Sequence, residues 1–553
     1  MKIETYIENA LRDAAAKAGL DPAPLDKAAV TPPKQKGHGD FASNAALILA
    51  SQAKANPRQV AQALCDYLQV DASRIQAVEI AGPGFINFTL SNDYLYQGLA
   101  DILQQKGSYG CSGEGQGRKT QVEFVSANPT GPLTIGHGRQ AVLGDVVARL
   151  LEATGHDVTR EYYFNDAGRQ MRVLGDSTRI RYLQLLGIDA QLGEDHYQGE
   201  YIIDIAKLAV AEKGDSLKDS ADLDYFKKLA QREIFEEIQK TVARLGFTFD
   251  VFYNEQSLYD SGKIDEVLSL LKEKGLVYEA EGATWLKTSV MGMDQDRVII
   301  KSTGEPTYRL PDMAYHRDKF ERGFELIIDI FGADHVATYP DVLAALKAMG
   351  YDTEKVKVLI HQFVTLMEGK EKVKMSTRKA NFVTLDELMD EVGVDVTRYF
   401  FLNRSMGSHL NFDLSLAKTQ SDENPVYYVQ YAHARICSVI QHAEDQGHVA
   451  AKEADLGLLT APEELDLIRM LLAYPDVVSA AARLFEPHRV PAYLEELATA
   501  YHRFQHAGKV DSALRVVTDN AETTAARLAL CRAAKIVLGN GLHLLGISAP
   551  ERM

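Results

Sequence analysis

The chain has 553 residues, too many for one hydrophobic core, and length alone predicts about three or four domains. With 46% hydrophobic and 25% charged residues it has an ordinary globular composition, and no apolar run approaches the roughly 20 residues of a membrane span. A net charge of −17 argues against a uniformly basic nucleic-acid binder, but from Pro425 onward 12 Lys and Arg face only 15 Asp and Glu, so that part is nearly neutral and RNA binding stays open there.

Residues 1–115 read as a small α+β module. The N-terminus MKIETYIENALRDAAAKAG carries acids and no continuous apolar stretch, so it predicts a helix over Ile3–Ala18 rather than a secretory signal. A second amphipathic helix is expected from Asp40 through Leu49, followed by strands at Val78–Ile80 and Phe85–Leu90. The glycines between Gly110 and Lys119 precede a strand instead of joining a strand to a helix, so they predict a linker or hairpin, not a dinucleotide loop. Four cysteines (Cys65, Cys111, Cys437 and Cys531) are scattered without a Cys-x-x-Cys pair. They argue against a structural zinc site and a disulfide framework, and for a cytoplasmic protein.

Residues 116–420 alternate strands and helices, the pattern of a doubly wound parallel sheet. Strands are expected at Val122–Val125, Val158–Tyr163, Leu326–Phe331 and Val356–Thr365, with an insertion at about 190–300 that contains paired strands near Ala283–Thr288 and Arg297–Lys301. The first strand runs into Ala127-Asn128-Pro129-Thr130-Gly131-Pro132-Leu133-Thr134-Ile135-Gly136-His137, and helical spacing then continues to a stop at Gly155. Such a helix N-terminus favours anions: Gly136 would let a nucleotide approach the backbone, and His137 could donate to a phosphate. Taken alone, Gly136-His137 also fits an ordinary turn with a surface histidine.

Further along, Pro311 suits the first turn of a helix that would set Tyr308, Asp312 and His316 on one face. Asp312 alone is equally a helix N-terminal acid. Gly332-Ala333-Asp334-His335 ends a strand at the expected carboxyl edge of the sheet, and Asp334 could instead be a helix cap. The basic stretch Lys370–Lys379 follows the apolar strand Val356–Thr365; it reads either as a solvated charge run or as mobile cations for a departing pyrophosphate. Residues 421–553 show long helical periodicities, so an all-helical domain is expected. Tyr427, Tyr431 and Arg435 share a stripe that could stack on bases or form a domain seam.

Together these stretches resemble the class I aminoacyl-tRNA synthetases, and within them the arginyl-tRNA synthetases of bacterial type. The likeness rests on Ser126, Asn128–Leu133, Gly136 and His137, on Arg160–Tyr163, Asn165–Gly168 and Gln170, and on Thr307–His316. It extends to Gly37–Asn44 and Gly82–Phe88 in the first module, and to Tyr427–Arg435 and the C-terminal end. Two departures stand out: Thr134 replaces the first histidine of the His-Ile-Gly-His tetrad, and Thr377 replaces the second lysine of the Lys-Met-Ser-Lys-Ser loop, here Lys374-Met375-Ser376-Thr377-Arg378.

The resemblance implies a Rossmann-like catalytic domain flanked by a tRNA-contacting N-terminal module and an anticodon-binding helical domain. It implies an arginine–tRNA ligase that forms arginyl-adenylate from L-arginine and ATP with Mg²⁺, then charges tRNA(Arg), with no zinc or organic cofactor. By the same likeness Thr134, Gly136, His137 and Lys374 are catalytic. Asn128, Tyr308, Asp312 and His316 hold arginine; Gly136, His137, Gly332, Asp334, His335, Lys374 and Met375 hold ATP. Phe85, Tyr427, Tyr431 and Arg435 touch tRNA. A cytoplasmic monomer is expected. The rivals are a nucleotidyltransferase sharing the histidine signature and an inactive RNA-binding paralogue.

Overall fold

The computed structural model describes residues 2–33, 37–166, 168–333, 338–369, 371–372, 383–448 and 454–553. An apolar stripe of Ile3, Ile7, Leu11 and Ala14 buries one face of α1 (Ile3–Lys17). Strands β1 (Val30–Thr31) and β2 (Phe41–Ser43), helices α2 (Ala45–Ala53) and α3 (Pro57–Tyr67), and strands β3 (Ile75–Ala81) and β4 (Phe85–Leu90) complete the module. The sheet is antiparallel in the order β1-β2-β4-β3. The helix expected from Asp40 begins only at Ala45, because Phe41–Ser43 pairs with β4 and the Asp40 carboxylate accepts from the Leu90 amide at 2.7 Å.

Helix α4 (Asn92–Gln105) leads to the glycine linker. The linker is irregular and bonds to the end of α5 (Ile135–Ala153): Gly115 N donates to Thr154 O at 2.7 Å and Gly117 N to Gly155 O at 2.8 Å.

Strand β5 (Lys119–Glu123) starts the main sheet, joined by β6 (Asp157–Phe164), β7 (Val251–Asn254), β11 (Leu326–Gly332) and β12 (Val356–His361). All five strands are parallel, in the order β12-β11-β5-β6-β7. The chain steps from β5 to one side and later returns to β11 on the other, so the crevice beyond the β5 and β11 carboxyl ends is a topological switch point. Between β6 and β7 lie α6 (Gly168–Leu185), α7 (Glu200–Lys213) and α8 (Asp224–Arg244). After β7 come α9 (Gln256–Asp260), α10 (Lys263–Glu273) and an antiparallel sheet of β8 (Val277–Ala280), β9 (Ala283–Leu286) and β10 (Arg297–Ile300). The paired strands expected there are present. The expected insertion nevertheless contains a strand of the main sheet, β7, whose four half-buried residues are too short a run to stand out.

Helix α11 (Arg309–Glu321) precedes β11, and α12 (Tyr339–Met349) precedes β12. The strand expected over Val356–Thr365 breaks after His361. Its second half is β13 (Val364–Glu368), which pairs with β14 (Glu371–Lys372) and β15 (Leu410–Asp413) in a separate sheet. The basic stretch therefore follows a hairpin strand, not the carboxyl end of the main sheet. Helices α13 (Leu385–Val392), α14 (Val394–Leu402) and α15 (Leu414–Ala417) surround β15.

The remaining described residues are helical: α16 (Pro425–Asp445), α17 (Pro462–Leu472), α18 (Tyr474–Leu484), α19 (Arg489–Val510) and α20 (Ala521–Leu544). The N-terminal module is bonded to this end. Arg469 pairs with Asp40 at 2.5 Å, and Asn540 Nδ2 donates to the carbonyls of Lys106 and Tyr109 at 2.9 and 3.0 Å.

Candidate active site

Beyond β5 the backbone turns abruptly, with Val125 at φ +68° and Ser126 at φ +41°. A β-branched residue in the left-handed region is strained, and such strain concentrates where the surroundings demand one geometry. Here it sets Ser126 Oγ to donate to Glu123 Oε1 at 2.9 Å and to accept from the Tyr163 amide at 3.2 Å. The loop beyond is propped by two tyrosines, Tyr162 Oη donating to Ala127 O at 2.6 Å and Tyr201 Oη to Thr130 O at 2.7 Å.

Thr134 is the N-cap of α5 in extended backbone, and His137 returns its Nδ1 to the Thr134 amide at 3.2 Å. Because Nδ1 accepts, the neutral ring carries its proton on Nε2 and presents that N–H as a donor. Thr134, standing where a histidine was expected, thus fixes the tautomer of the histidine that remains. A Cβ on Gly136 would meet only Thr134 Oγ1, at 3.8 Å. Nothing among the described residues forbids a side chain there, whereas one on Gly138 would strike Leu385 at 2.5 Å. Gly136 therefore leaves open space over the helix start.

Across the crevice, Asn128 joins the end of β6. Its Nδ2 donates to Gln170 Oε1 at 2.8 Å and its Oδ1 accepts from Asn165 N at 3.2 Å. Asn165 Nδ2 in turn donates to Glu255 Oε1 at 2.7 Å, and Tyr163 Oη donates to Glu255 Oε2 at 2.6 Å. Burial raises the Glu255 carboxyl above its usual range; the Tyr163 hydroxyl opposes this, and the charges of Asp312 and Asp166 add to it. Glu255 thus lies within electrostatic reach of Asp312 and Asp166, and their shared negative charge favours a cation. Sequence reasoning reaches Asp312 and Tyr163 but misses Glu255, because a lone acid just after a four-residue edge strand gives no pattern.

Three further acids share one row of the sheet: Asp329 is in register with Glu123, and Glu123 with Glu161. All three are buried, and α11 supplies the countercharges. Lys319 Nζ lies 2.6 Å from both Glu123 Oε2 and Asp329 Oδ1. Arg322 donates to both oxygens of Glu161 at 2.5 and 2.8 Å. Burial pushes Lys319 down, but Asp329 and Glu123 outweigh it and hold the ammonium above its ordinary value. Burial likewise pushes Asp329 up, while Lys319 and His316 hold it well below the carboxylate range.

The stripe on α11 runs from solvent to core. Tyr308, the N-cap, is 82% exposed, Asp312 is half-buried and His316 is 5% exposed. His316 bonds to Asp312 O through Nδ1 and to Asp329 Oδ2 through Nε2, each at 2.9 Å. Both nitrogens of His316, a residue expected to hold arginine, are thus bonded to the chain itself, at the Asp312 carbonyl and the Asp329 carboxylate.

Gly332 closes β11 at the crevice, while Asp334, His335 and the loop residues Lys374, Met375, Ser376, Thr377 and Arg378 lie outside the described residues. The chain after that loop is described: Leu385 N donates to Leu133 O at 2.8 Å, and Thr384 forms an antiparallel bridge with Thr134. The downstream anchor of the basic stretch therefore sits against the His137 turn. The expected RNA-facing residues lie elsewhere. Tyr427 and Tyr431 stack at 6.2 Å and 7° on α16, with Arg435 exposed one turn on, and His502 joins the stack at 6.1 Å from Tyr431. Phe85 is 38% exposed in the N-terminal module.

Three family models match the chain: an arginyl tRNA synthetase N terminal domain over residues 1–90, a class I (R) tRNA synthetase catalytic domain over 98–399, and a DALR anticodon binding domain over 429–553. The arginine–tRNA ligase of Desulfotalea psychrophila is 53% identical over 523 residues, 94% of each chain. That of Salinibacter ruber is 51% identical over 539 residues, 94% of this chain and 95% of its own. In fold, the arginyl-tRNA synthetase of Thermus thermophilus aligns over 100% of both chains with a TM-score of 0.77 at 22% identity.

Proposed function

The chain belongs to the class I arginyl-tRNA synthetases, and from that premise we propose how its residues divide the work of an arginine–tRNA ligase. The observation that carries the division is the bonded chain from Asn128 through Asn165 to Glu255, whose charge is within reach of Asp312 and Asp166. A guanidinium presents parallel donors to carboxylates, so the arginine side chain is placed in a recess bounded by Asp312 and Glu255, with both as its partners. Asn128 and Ser126 hold the amino-acid end, and Tyr308 covers the side chain from the exposed start of α11.

ATP, carried with Mg²⁺, lies along the crevice with its phosphates over Gly136 and the first amides of α5, and its nucleoside towards Gly332, Asp334 and His335. The arginine carboxylate attacks the α-phosphorus, the bond from that phosphorus to the α,β-bridge oxygen breaks, and pyrophosphate leaves with that electron pair. His137 Nε2–H and Lys374, with Met375 beside it, follow the charge as it develops. The terminal ribose hydroxyl of tRNA(Arg) then attacks the arginyl carbonyl and releases AMP. Positioning and charge suffice, and no protein nucleophile is needed.

Residues 1–115 and 421–553 are assigned to the RNA, through Phe85 and through Tyr427, Tyr431 and Arg435. The reading is of a monomer, at work in the cytoplasm. Arginine-dependent exchange of pyrophosphate into ATP, measured with and without tRNA(Arg), tests it. Exchange that depends on arginine and responds to tRNA is expected; exchange with no requirement for arginine would overturn it.

A further inference from the structure

Two residues beyond His137, Arg139 is buried completely, at 0% exposure. Among the described residues it pairs with no carboxylate. Instead Nη1 donates to Gln362 O at 2.7 Å and to Ser408 O at 3.0 Å, and Nη2 donates to Ser405 O at 3.0 Å. Nε is buried with no hydrogen-bond partner. Burial without an acid lowers the guanidinium to about 10, so it remains a cation at neutral pH. Enclosing an unpaired charge is costly unless other groups satisfy it, and a residue serving packing alone would not need this head group.

The three carbonyls are what Arg139 joins. Gln362 is the corner where the chain leaves β12 and the main sheet for β13. Ser405 and Ser408 belong to the loop laid against that corner, where Gln362 N donates to Met406 O at 3.0 Å and Leu410 N to Phe363 O at 3.2 Å. On the other side the neighbouring Gln140 Nε2 donates to Ile330 O of β11. The first turns of α5 are thus tied at once to β11 and to the corner beyond β12. Lysine could not reproduce this, because one ammonium cannot span three carbonyls in a plane.

We propose that Arg139 is a positioning residue for adenylate formation: through the carbonyls of Gln362, Ser405 and Ser408 it fixes the His137 end of α5, over which the phosphates lie, against the β12–β13 corner. The inference rests on the reading of His137 given above. Arg139 touches neither the arginine recess nor the RNA-facing stack, so its loss should change the chemical step and spare arginine binding.

The test uses full-length Arg139→Lys and Arg139→Ala, assayed by arginine-dependent pyrophosphate exchange beside thermal unfolding. A displacement of about 1 Å at a reacting group costs about 100-fold. The expected result is a folded variant with kcat lowered by that order and the KM for arginine changed by less than about two-fold. Methylguanidinium, which fits the space left in Arg139→Ala, should restore part of kcat in that variant and none in the parent. Unchanged kcat, an equal rise in the KM for arginine, or no rescue would overturn the proposal. So would failure of both variants to fold, which would make Arg139 a stability residue. His137→Ala separates the two readings: full exchange in that variant removes the role of His137 itself, whereas a loss there with none in folded Arg139→Lys removes only the role of Arg139.

Discussion

Lys319 Nζ lies 2.6 Å from Glu123 Oε2, both side chains are buried, and the other oxygen of that carboxylate accepts from Ser126. The ammonium therefore holds in place the acid from which the strained turn at Ser126 hangs. Replacing Lys319 with Met leaves Glu123 and Asp329 without their shared cation, and breaking a buried pair in this way costs about 3–5 kcal/mol. Urea unfolding of full-length Lys319→Met should show a loss of that order. A midpoint within error of the parent would show that the two acids are neutral.

Asp312→Asn keeps the shape of the recess and removes one charge opposite the guanidinium. A charge-assisted hydrogen bond is worth about 1.5–3 kcal/mol, so the KM for arginine should rise at least about 10-fold. Unchanged arginine kinetics would take Asp312 out of the recess.

Glu255→Gln should act in opposite directions on binding and stability. Burial raises the Glu255 carboxyl, with Asp312 and Asp166 adding to the rise, so its charged form costs the folded protein stability once pH exceeds the ordinary glutamate range. The amide removes that cost and removes an arginine partner: the KM for arginine should rise while the melting temperature at neutral pH holds or increases. A fall in both would show that Glu255 is held for structure.

The same shift fixes the sign of a pH effect. Arginine favours ionised Glu255, so binding is complete above the raised pKa and weakens as pH falls through it. The KM for arginine should begin to climb at a higher pH than an ordinary glutamate near 4.5 would give, and the climb should vanish in Glu255→Gln. A climb that persists in the variant assigns it to another group.

His137→Ala removes the Nε2–H donor. Loss of one preorganised donor at a developing charge costs about 10²–10³-fold in kcat. The KM for arginine should stay near the parent value, since Asn128 and Asp312 lie across the crevice. A change confined to the KM for arginine would contradict the phosphate role.

Much of this was legible in order along the chain. The turn from Asn128 to His137 and the first turn of α11, which contains Pro311, follow from local rules: a helix start, a proline in the first turn, a glycine stop. Long-range pairing was hidden. The acids Glu123, Glu161 and Asp329 lie on three different strands, and only the sheet register puts them side by side. Val364 and Thr365 read as a continuation of β12 because both halves are apolar, and the corner between them is bonded by Arg139, more than two hundred residues away. Periodicity puts His316 on one stripe with Tyr308 and Asp312, but it gives the face of a helix and not how far that face sinks.

The bonds from Asp40 to Arg469 and from Asn540 to the carbonyls of Lys106 and Tyr109 bear on the energetics of a large ligand. The first module and the helical end are already fastened together before anything binds. An RNA reaching from one to the other meets a calliper of preset width, and the loss of freedom between its jaws was incurred when the chain folded. Severing the Asp40–Arg469 pair would move that entropic cost to the moment of encounter, so that RNA affinity would fall although no RNA-facing side chain had changed.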